Sequence, residues 1–392
     1  MTRVAFVDQT SKMGGAEWSL LDIVTERRKS FDDRVVLFED GDFADRLRDQ
    51  SIDVRICSLL GPSRSVKRES GWWRQLGSMT SVWRQASDLA EAAVDMDILY
   101  ANTMKAFVVS AVASRRTGIP LIFHLRDILS PAHFSRINRR IVQAICRFVN
   151  VTVIANSEAT AAEFRRLVGD KVDTQVVYNG ISSEPFDRAV ANSATLATKL
   201  RQSLGIDHGV KVIGVFGRLA RWKGQHVAIE AMVDRPDWHL LIVGKALFGE
   251  DEYADQLRRL VKKKRIEHRI HFLGFRSDIP EVMQGCDLVL HTSIDPEPFG
   301  RVIAEAMLAS RPVVAANAGG VTEIIDHGST GWLAPPGDAN ATRDASEIAI
   351  LKSDSSMISR ARDFARSQFD LFDRAEELSR VIDRVSTISG KS

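Results

Sequence analysis

The chain reads as an α/β protein with two Rossmann-like, doubly wound domains. Three observations predict this. Short apolar runs alternate with helical periodicity over residues 4–177, and do so again over 211–333. A polar stretch without periodicity, 182–194, holds Ser182-Ser183 and Pro185 and reads as the linker between the two sets. The 392 residues suffice for two domains with full cores.

The first set opens with a strand at 4–7, a loop ending Met13-Gly14-Gly15, and an amphipathic helix over 16–28. A strand, a glycine pair and a helix start make an anion-binding corner, because free backbone N–H groups and the helix dipole point outward there. A plain tight turn asks for the same glycines. The corner is not a dinucleotide fingerprint, since the third glycine is missing and no acidic residue follows at the needed distance. Strands continue at 34–38, 53–57, 98–101, 120–124, 151–155 and 174–177, with helices at 42–50 and 104–116. The second set places strands at 211–216, 239–243, 269–272, 287–291, 312–315 and 331–333. Helices fall between them at 225–232, 252–264, 278–284, 300–309 and 321–326. After Pro335-Pro336-Gly337 the pattern is helical to about residue 385, with an irregular stretch near 353–357. The expected domains are 1–185, 186–370 and a C-terminal helix, 371–392, packing back on the first domain.

Two stretches interrupt the first set as insertions. Residues 61–84 hold Arg64, Lys67, Arg68, Arg74 and Arg84 against Glu69, a net charge of +4, with Trp72, Trp73 and Trp83 among them. Residues 126–147 hold Arg126, Arg136, Arg139, Arg140 and Arg147 against Asp127, again +4. Basic residues interleaved with Trp suit a membrane interface carrying anionic lipid; a solvated basic face with inward tryptophans has the same composition.

Composition narrows the classes. A content of 44% hydrophobic and 27% charged residues is ordinary for a globular protein. A net charge of +2 gives no overall nucleic-acid signature. Cys57, Cys146 and Cys286 are scattered and odd in number, which fits a reducing compartment and offers no metal spacing. No apolar run approaches 18 residues, and the N-terminus enters a strand at once, without room for a signal peptide. The expected place is the cytoplasm, with peripheral contact at the inner face of the membrane through 61–84.

Chemistry concentrates in the second half. Glu297-Pro298-Phe299-Gly300-Arg301 leads from the strand at 287–291 into a helix that carries Glu305, so Glu297 sits in a strand-to-helix turn where open α/β sheets bind ligands. Eight helical residues rise about 12 Å. Carboxylates flanking one glycosidic bond stand closer, at about 5 to 9.5 Å. The pair therefore suits two distant parts of an elongated ligand, or a helix with two solvated carboxylates. Gly214-Val215-Phe216-Gly217-Arg218-Leu219-Ala220-Arg221-Trp222-Lys223-Gly224 runs from a strand end through a loop to a helix start. The forked guanidinium of Arg218 and the compact ammonium of Lys223 suit a diphosphate, or a surface ion-pair loop. Asn317-Ala318-Gly319-Gly320-Val321 is a third strand-to-helix loop with backbone N–H groups to present. Asp95-Met96-Asp97 matches a metal-binding Asp-x-Asp but lies ahead of a first-half strand, away from these loops, and reads as coincidence.

Together these motifs resemble the retaining glycosyltransferases of family 4, group 1, with the GT-B fold. The resemblance rests on Gly14-Gly15, Phe216-Gly217-Arg218-Leu219 with Lys223-Gly224, Phe272-Leu273-Gly274, Glu297 with Glu305, and Ala318-Gly319-Gly320 followed by Glu323. It covers nearly the whole chain and is strongest over 210–337. It implies sugar transfer from a UDP- or GDP-sugar to a glycan or lipid-linked acceptor, with retention, without a bound metal or other cofactor. By position it implies that Gly217, Arg218 and Lys223 hold the diphosphate, that Glu305 bonds the ribose and Glu297 the donor sugar, and that Pro298, Phe299, Gly300 and Arg301 contact sugar and phosphate. Gly274, Phe275 and Arg276 would line the base pocket, and Gly14 and Gly15 would approach the donor. His124 looks like the family's active-site histidine, with Arg126 and Asp127 on the acceptor side. Many members carry an acidic residue directly after that histidine, where this chain has Leu125, and a second glycine after Gly244, where it has Lys245. A phosphorylase, a sugar-nucleotide epimerase or a non-catalytic carbohydrate-binding protein are the other readings that the same fold admits.

Overall fold

A computed structural model describes residues 2–57, 79–131, 133–247 and 249–389. Residues 64–74, with Trp72 and Trp73, lie outside the described residues. The chain divides into two units, Met1–Ile181 with Leu371–Ser392, and Ser182–Asp370.

Unit 1 is built on seven strands: β1 (Val4–Asp8), β2 (Arg34–Leu37), β3 (Asp53–Ile56), β4 (Ile98–Ala101), β5 (Leu121–Leu125), β6 (Val151–Ala155) and β7 (Thr174–Val176). All neighbours are parallel, in the order β3-β2-β1-β4-β5-β6-β7. Successive side chains of a strand point to opposite faces, and both faces here are covered. Val4 and Phe6 join one core cluster, while Ala5 and Val7 join the other. The C-terminal helix, Leu371–Ser389, sets Leu378, Val381, Ile382 and Val385 into the first of these, beside Leu20, Ile23 and Val24.

Unit 2 carries six parallel strands: β8 (Lys211–Phe216), β9 (Trp238–Val243), β10 (Ile270–Gly274), β11 (Leu288–His291), β12 (Val313–Ala316) and β13 (Trp332–Ala334). Their order is β10-β9-β8-β11-β12-β13.

Two sequence readings are corrected here. The stretch 182–194, read as an irregular linker, is helical: Glu184–Ala191 and the start of Ser193–Leu204. Pro185 stands in the first turn, where its missing N–H costs nothing. The stretch 126–147, read as an insertion, holds the ordinary crossover helix Arg136–Phe148 between β5 and β6.

Candidate active site

In unit 2 the strand order reverses between β8 and β11. Loops leaving the carboxyl ends of such a pair diverge and leave a crevice for ligand. The β8 loop passes Gly217, at φ 131°, makes one 3₁₀ turn over Arg221–Lys223 and ends on Gly224, at φ 67°. A Cβ on Gly224 would stand 1.9 Å from the carbonyl oxygen of Thr292, so only glycine lets the two loops touch. They are stitched by the Ile294 N–H donating to Trp222 O (2.8 Å) and by Thr292 Oγ1 donating to Lys223 O (3.1 Å).

That contact places Lys223 Nζ 2.6 Å from Glu297 Oε2. The same oxygen accepts from His291 Nε2 (3.0 Å) and Ser293 Oγ (2.9 Å). Glu297 is buried. Burial alone would push its carboxyl up, but the Lys223 ammonium and the His291 hydrogen bond outweigh it and hold the group well below the ordinary carboxylate range. All three donors converge on Oε2, and Oε1 accepts no hydrogen bond from any described residue. Arg218 and Lys223 both lie over the Trp222 ring, at 5.7 and 4.2 Å from its centroid.

A second clamp holds the Glu297 loop. Gly320 N–H donates to Glu297 O (2.8 Å), and Glu297 pairs with Gly319 in a short β-bridge. A Cβ on Gly319 would lie 2.3 Å from Glu297 O, and one on Gly320 2.5 Å from Pro298 O. These glycines therefore serve close approach of two backbones. Of the backbone N–H groups that this loop was read as presenting to phosphate, that of Gly320 is already taken by Glu297 O.

The helix carrying Glu305 begins only at Arg301, after Gly300 at φ 104°. Glu297 thus stands ahead of the helix, and the 12 Å rise inferred from eight helical residues does not apply. Arg301 Nε donates to Glu305 Oε1 at 2.7 Å, while Phe299 is buried against Phe369. At the end of β10, Gly274 adopts φ 67° and its carbonyl accepts from Gly244 N (2.7 Å). Phe275 beyond it is exposed, with Lys245 Nζ 5.2 Å from its ring centroid, and Arg276 pairs with Asp278 at 2.7 Å.

In unit 1 the order reverses between β1 and β4, and a buried polar network occupies the strand ends there. Asp8 closes β1 and its Oδ2 accepts from Asn102 Nδ2 (2.6 Å). Asn102 Oδ1 accepts from Arg126 Nε (2.6 Å), and Arg126 Nη1 reaches Ser19 Oγ (2.9 Å) and Asn179 Oδ1 (2.8 Å). Glu17 Oε2 accepts from Gly14 N at 2.9 Å. Gly14 precedes the helix Gly15–Arg27, so a carboxyl of the chain itself occupies one N–H of the corner read as an anion site. Burial pushes the Asp8 carboxyl up to about 6; burial and the neighbouring Asp8 push Glu17 up to about 8. Arg126 is buried in this network, and Asp127 is half-buried. His124, near the end of β5, is buried with its Nδ1 hydrogen-bonded to the Tyr100 hydroxyl. Its Nε2 meets no hydrogen-bond partner among the described residues.

Asp95 and Asp97 are tied down structurally. Arg34 Nη1 donates to Asp95 Oδ1 (2.7 Å), and Arg3 N donates to Asp97 Oδ2 (2.7 Å). Among the described residues no three His, Cys, Asp or Glu side chains gather as a metal would need.

The comparisons with known proteins bear on this geometry. The family model described as Glycosyltransferase Family 4 matches residues 13–185, and that described as Glycosyl transferases group 1 matches 197–367. The N-acetyl-alpha-D-glucosaminyl L-malate synthase of Bacillus anthracis is 30% identical over 297 residues, 72% of this chain and 74% of that one. The chain belongs to the family 4, group 1 glycosyltransferases. The lipopolysaccharide core biosynthesis mannosyltransferase LpsB of Rhizobium meliloti is 31% identical over 203 residues, 49% of this glycosyltransferase and 53% of that one. Among solved structures, Anabaena Alr3699/HepE in complex with UDP and glucose is 37% identical, with a TM-score of 0.85 over 98% of this chain and 100% of that one. The enzyme is a two-unit α/β glycosyltransferase of the GT-B fold.

Sequence reasoning did not single out His291, Ser293, Tyr100, Asp8, Glu17 or Asn102. The signal for His291 was present: a titratable residue closes an otherwise apolar strand two positions before Ser293 and six before Glu297.

Proposed function

We propose that this glycosyltransferase moves a sugar from a UDP-sugar to a glycan or lipid-linked acceptor in polysaccharide or glycoconjugate synthesis, with retention of anomeric configuration. The observation that carries the reading is the convergence on Glu297 at the β8/β11 reversal. One carboxylate oxygen is pinned by three donors. The other remains to accept from a sugar hydroxyl. Arg218 and Lys223 rise from the adjoining loop, with Gly217 beside them, as the groups for the diphosphate. Gly300 and Arg301, preceded by Pro298 and Phe299, take the sugar and phosphate side, and Glu305 the ribose. Exposed Phe275, between Gly274 and Arg276, offers a face for the base. UDP is favoured over GDP because the related Alr3699/HepE structure holds UDP and glucose.

Departure of the diphosphate concentrates negative charge on the leaving group while the sugar becomes oxocarbenium-like. Cations aimed at that charge lower the barrier, and removal of one such donor costs about 10²–10³ in rate. Arg218 and Lys223 supply this charge without a bound metal. In unit 1, His124 contacts substrate, Gly14 and Gly15 approach the donor, and Asp127 with Arg126 serves the acceptor side. Peripheral contact with an anionic membrane brings the enzyme to a lipid-linked acceptor. No described helix is long and apolar enough to cross a membrane.

The test is a thermal-shift panel of UDP, GDP and their sugars, followed by NMR assignment of the product's anomeric configuration. A ligand at 100 times its Kd adds about 2.7 kcal/mol of stability, so UDP is expected to raise Tm by several degrees. Absence of any nucleotide shift, or an inverted product, overturns the proposal.

A further inference from the structure

Tyr100 and His124 stand on adjacent strands. Tyr100 is in register with Ile122 across β4 and β5, and His124 is two residues beyond Ile122, hence on the same face. Phe6 packs on the Tyr100 ring at 4.8 Å between centroids, and Tyr100 is wholly buried. Its hydroxyl has one hydrogen-bond partner among the described residues, Nδ1 of His124. The two rings meet edge to face, at an interplanar angle of 82°.

Two proton arrangements fit this contact, and they differ in what they leave unpaired. If Nδ1 carried the proton and donated to the phenol oxygen, the phenol's own hydrogen would stay buried without an acceptor. If the phenol donates to Nδ1, that hydrogen is satisfied and the imidazole proton sits on Nε2. Each arrangement leaves one buried donor unpaired, the phenol O–H in the first and Nε2–H in the second, so that count does not separate them. A phenol O–H is a stronger acid than a neutral imidazole N–H, and an imidazole nitrogen a stronger base than a phenol oxygen. The O–H···N bond is therefore the stronger, and the second arrangement wins. Burial holds the Tyr100 phenol protonated and, with the Arg126 charge, keeps the His124 imidazole neutral, so neither partner escapes by ionising. In this arrangement Nε2–H is a buried donor that no described residue pairs. Such a group in a native structure has a role or a missing partner.

We infer that Tyr100 is a positioning residue: its hydroxyl locks His124 as the Nε2–H tautomer, so that His124 presents a hydrogen-bond donor to an oxygen of the bound sugar nucleotide and does not act as a base. The identity of the ring nitrogen that bears the proton is set by the bond at the other one. A base would need a free lone pair on Nε2, and the Tyr100 contact assigns the lone pair to Nδ1. The substrate half of the inference rests on the reading of His124 given above; the tautomer half does not.

The experiment uses the full chain with ¹⁵N-labelled histidine, the His124 signals being assigned by their loss in His124→Gln. Wild type is expected to show a protonated Nε2 and an unprotonated, hydrogen-bonded Nδ1 at neutral pH. Tyr100→Phe keeps the ring and removes the hydroxyl. It is expected to show mixed tautomers, to lower kcat about 10–100-fold as loss of an orienting partner does, and to leave UDP affinity unchanged. His124→Gln keeps an amide donor near the place of Nε2 and should retain more activity than His124→Ala. A wild-type Nδ1–H signal, or a tautomer and kcat both unmoved in Tyr100→Phe, overturns the tautomer lock. Equal loss in His124→Gln and His124→Ala overturns the donor role. Full activity in His124→Ala overturns substrate contact by His124, whatever the NMR spectrum shows.

Discussion

The amide nitrogen of Gly14 lies 2.9 Å from Glu17 Oε2, three residues along the chain, in a pocket that also buries Asp8. The two acids are held up to about 8 and about 6, from ordinary values of 4.5 and 3.8. The folded chain therefore keeps protons that the unfolded chain has already released. Wherever the unfolded state binds fewer protons, stability falls as pH rises. Tm is expected to decline from about pH 4.5 to about pH 8, with the upper part of that window belonging to Glu17. Glu17→Gln keeps an acceptor for the Gly14 N–H and removes the ionisation, so its Tm should decline less between pH 6 and pH 8. Differential scanning fluorimetry across that range checks this, and parallel curves for the two proteins would refute it.

Lys223 and Glu297 predict a separation of binding from turnover. Glu297→Gln keeps the bulk of the side chain and loses the charge. It should bind UDP as wild type does, yet lower kcat about 10²–10³-fold, because the contact to the sugar is aimed at charge developing in the transition state. Lys223→Ala should weaken UDP binding as well as turnover. It also leaves a buried carboxylate without its main partner, which in other buried pairs costs about 3–5 kcal/mol. His291 and Ser293 still donate to Oε2, so the loss should sit at the low end of that range. Calorimetric titration with UDP and initial-rate kinetics distinguish the two variants. Equal UDP affinities in both would remove Lys223 from the diphosphate.

Gly319 tests whether the second clamp matters to the reaction. It adopts φ 69°, and a Cβ there would stand 2.3 Å from Glu297 O and 2.8 Å from Glu297 N. Gly319→Ala must move the Glu297 backbone, and displacement of a reacting geometry by about 1 Å costs on the order of 10²-fold in rate. Gly328 makes a fair control. It also has positive φ, at 79°, but a Cβ there meets nothing within 4 Å. Gly328→Ala should therefore cost stability alone, with kcat/KM held near wild type.

Much of this architecture was legible from residue order. Parallel strands covered on both faces, such as the wholly buried Val4–Asp8, print as continuous apolar runs. The glycine-bounded loop around Arg218 and Lys223 was legible for a related reason, since a strand end, glycines and cations are local signals. The helix Ser193–Leu204 was not, because it buries none of its residues fully and so shows no apolar stripe. Nor was the pairing of Lys223 with Glu297, 74 positions apart, or the meeting of Asp8 with Glu17 beside Arg126. Those contacts arise where the strand order reverses, and no local pattern encodes which strands become neighbours. The Gly319-Gly320 pair shows the converse: a legible motif whose purpose, close packing on Glu297, emerged only from its surroundings.

The expectation that the leaving group is neutralised by side chains has its own check. Activity of enzyme treated with EDTA and assayed in chelator should equal that of untreated enzyme, and added Mg²⁺ or Mn²⁺ should not raise it. A chelator-sensitive rate restored by either ion would place a metal in the reaction and shift the burden from Arg218 and Lys223.

The proposed membrane contact can be located on described residues. Helices Met79–Ala92, Met104–Thr117 and Arg136–Phe148 share a small apolar cluster of Val82 and Val108, with Val112, Ile141 and Ile145 packed against it. Helix Arg136–Phe148 has four arginines and no acidic residue. At about 100° per residue, Arg136, Arg140, Ala144 and Arg147 share one face, and Ile137 and Phe148 line its edge on the side of Ile141 and Ile145. Arg136, Ile137, Arg140, Arg147 and Phe148 are all exposed. Across the cluster, Trp83 is 52% exposed with Arg116 5.2 Å from its ring centroid. A cationic face bordered by exposed apolar side chains matches the boundary of an anionic bilayer. Each basic residue near such a surface contributes about 1 kcal/mol, so neutralising Arg136, Arg140 and Arg147 with Gln should weaken binding to phosphatidylserine vesicles about 100-fold. Binding to zwitterionic vesicles and to UDP should not change. Replacing Trp72, Trp73, Arg64 and Arg68 together should act in the same direction if the neighbouring segment joins the contact. Unaltered flotation of both variants with anionic vesicles would leave these arginines as a solvated face.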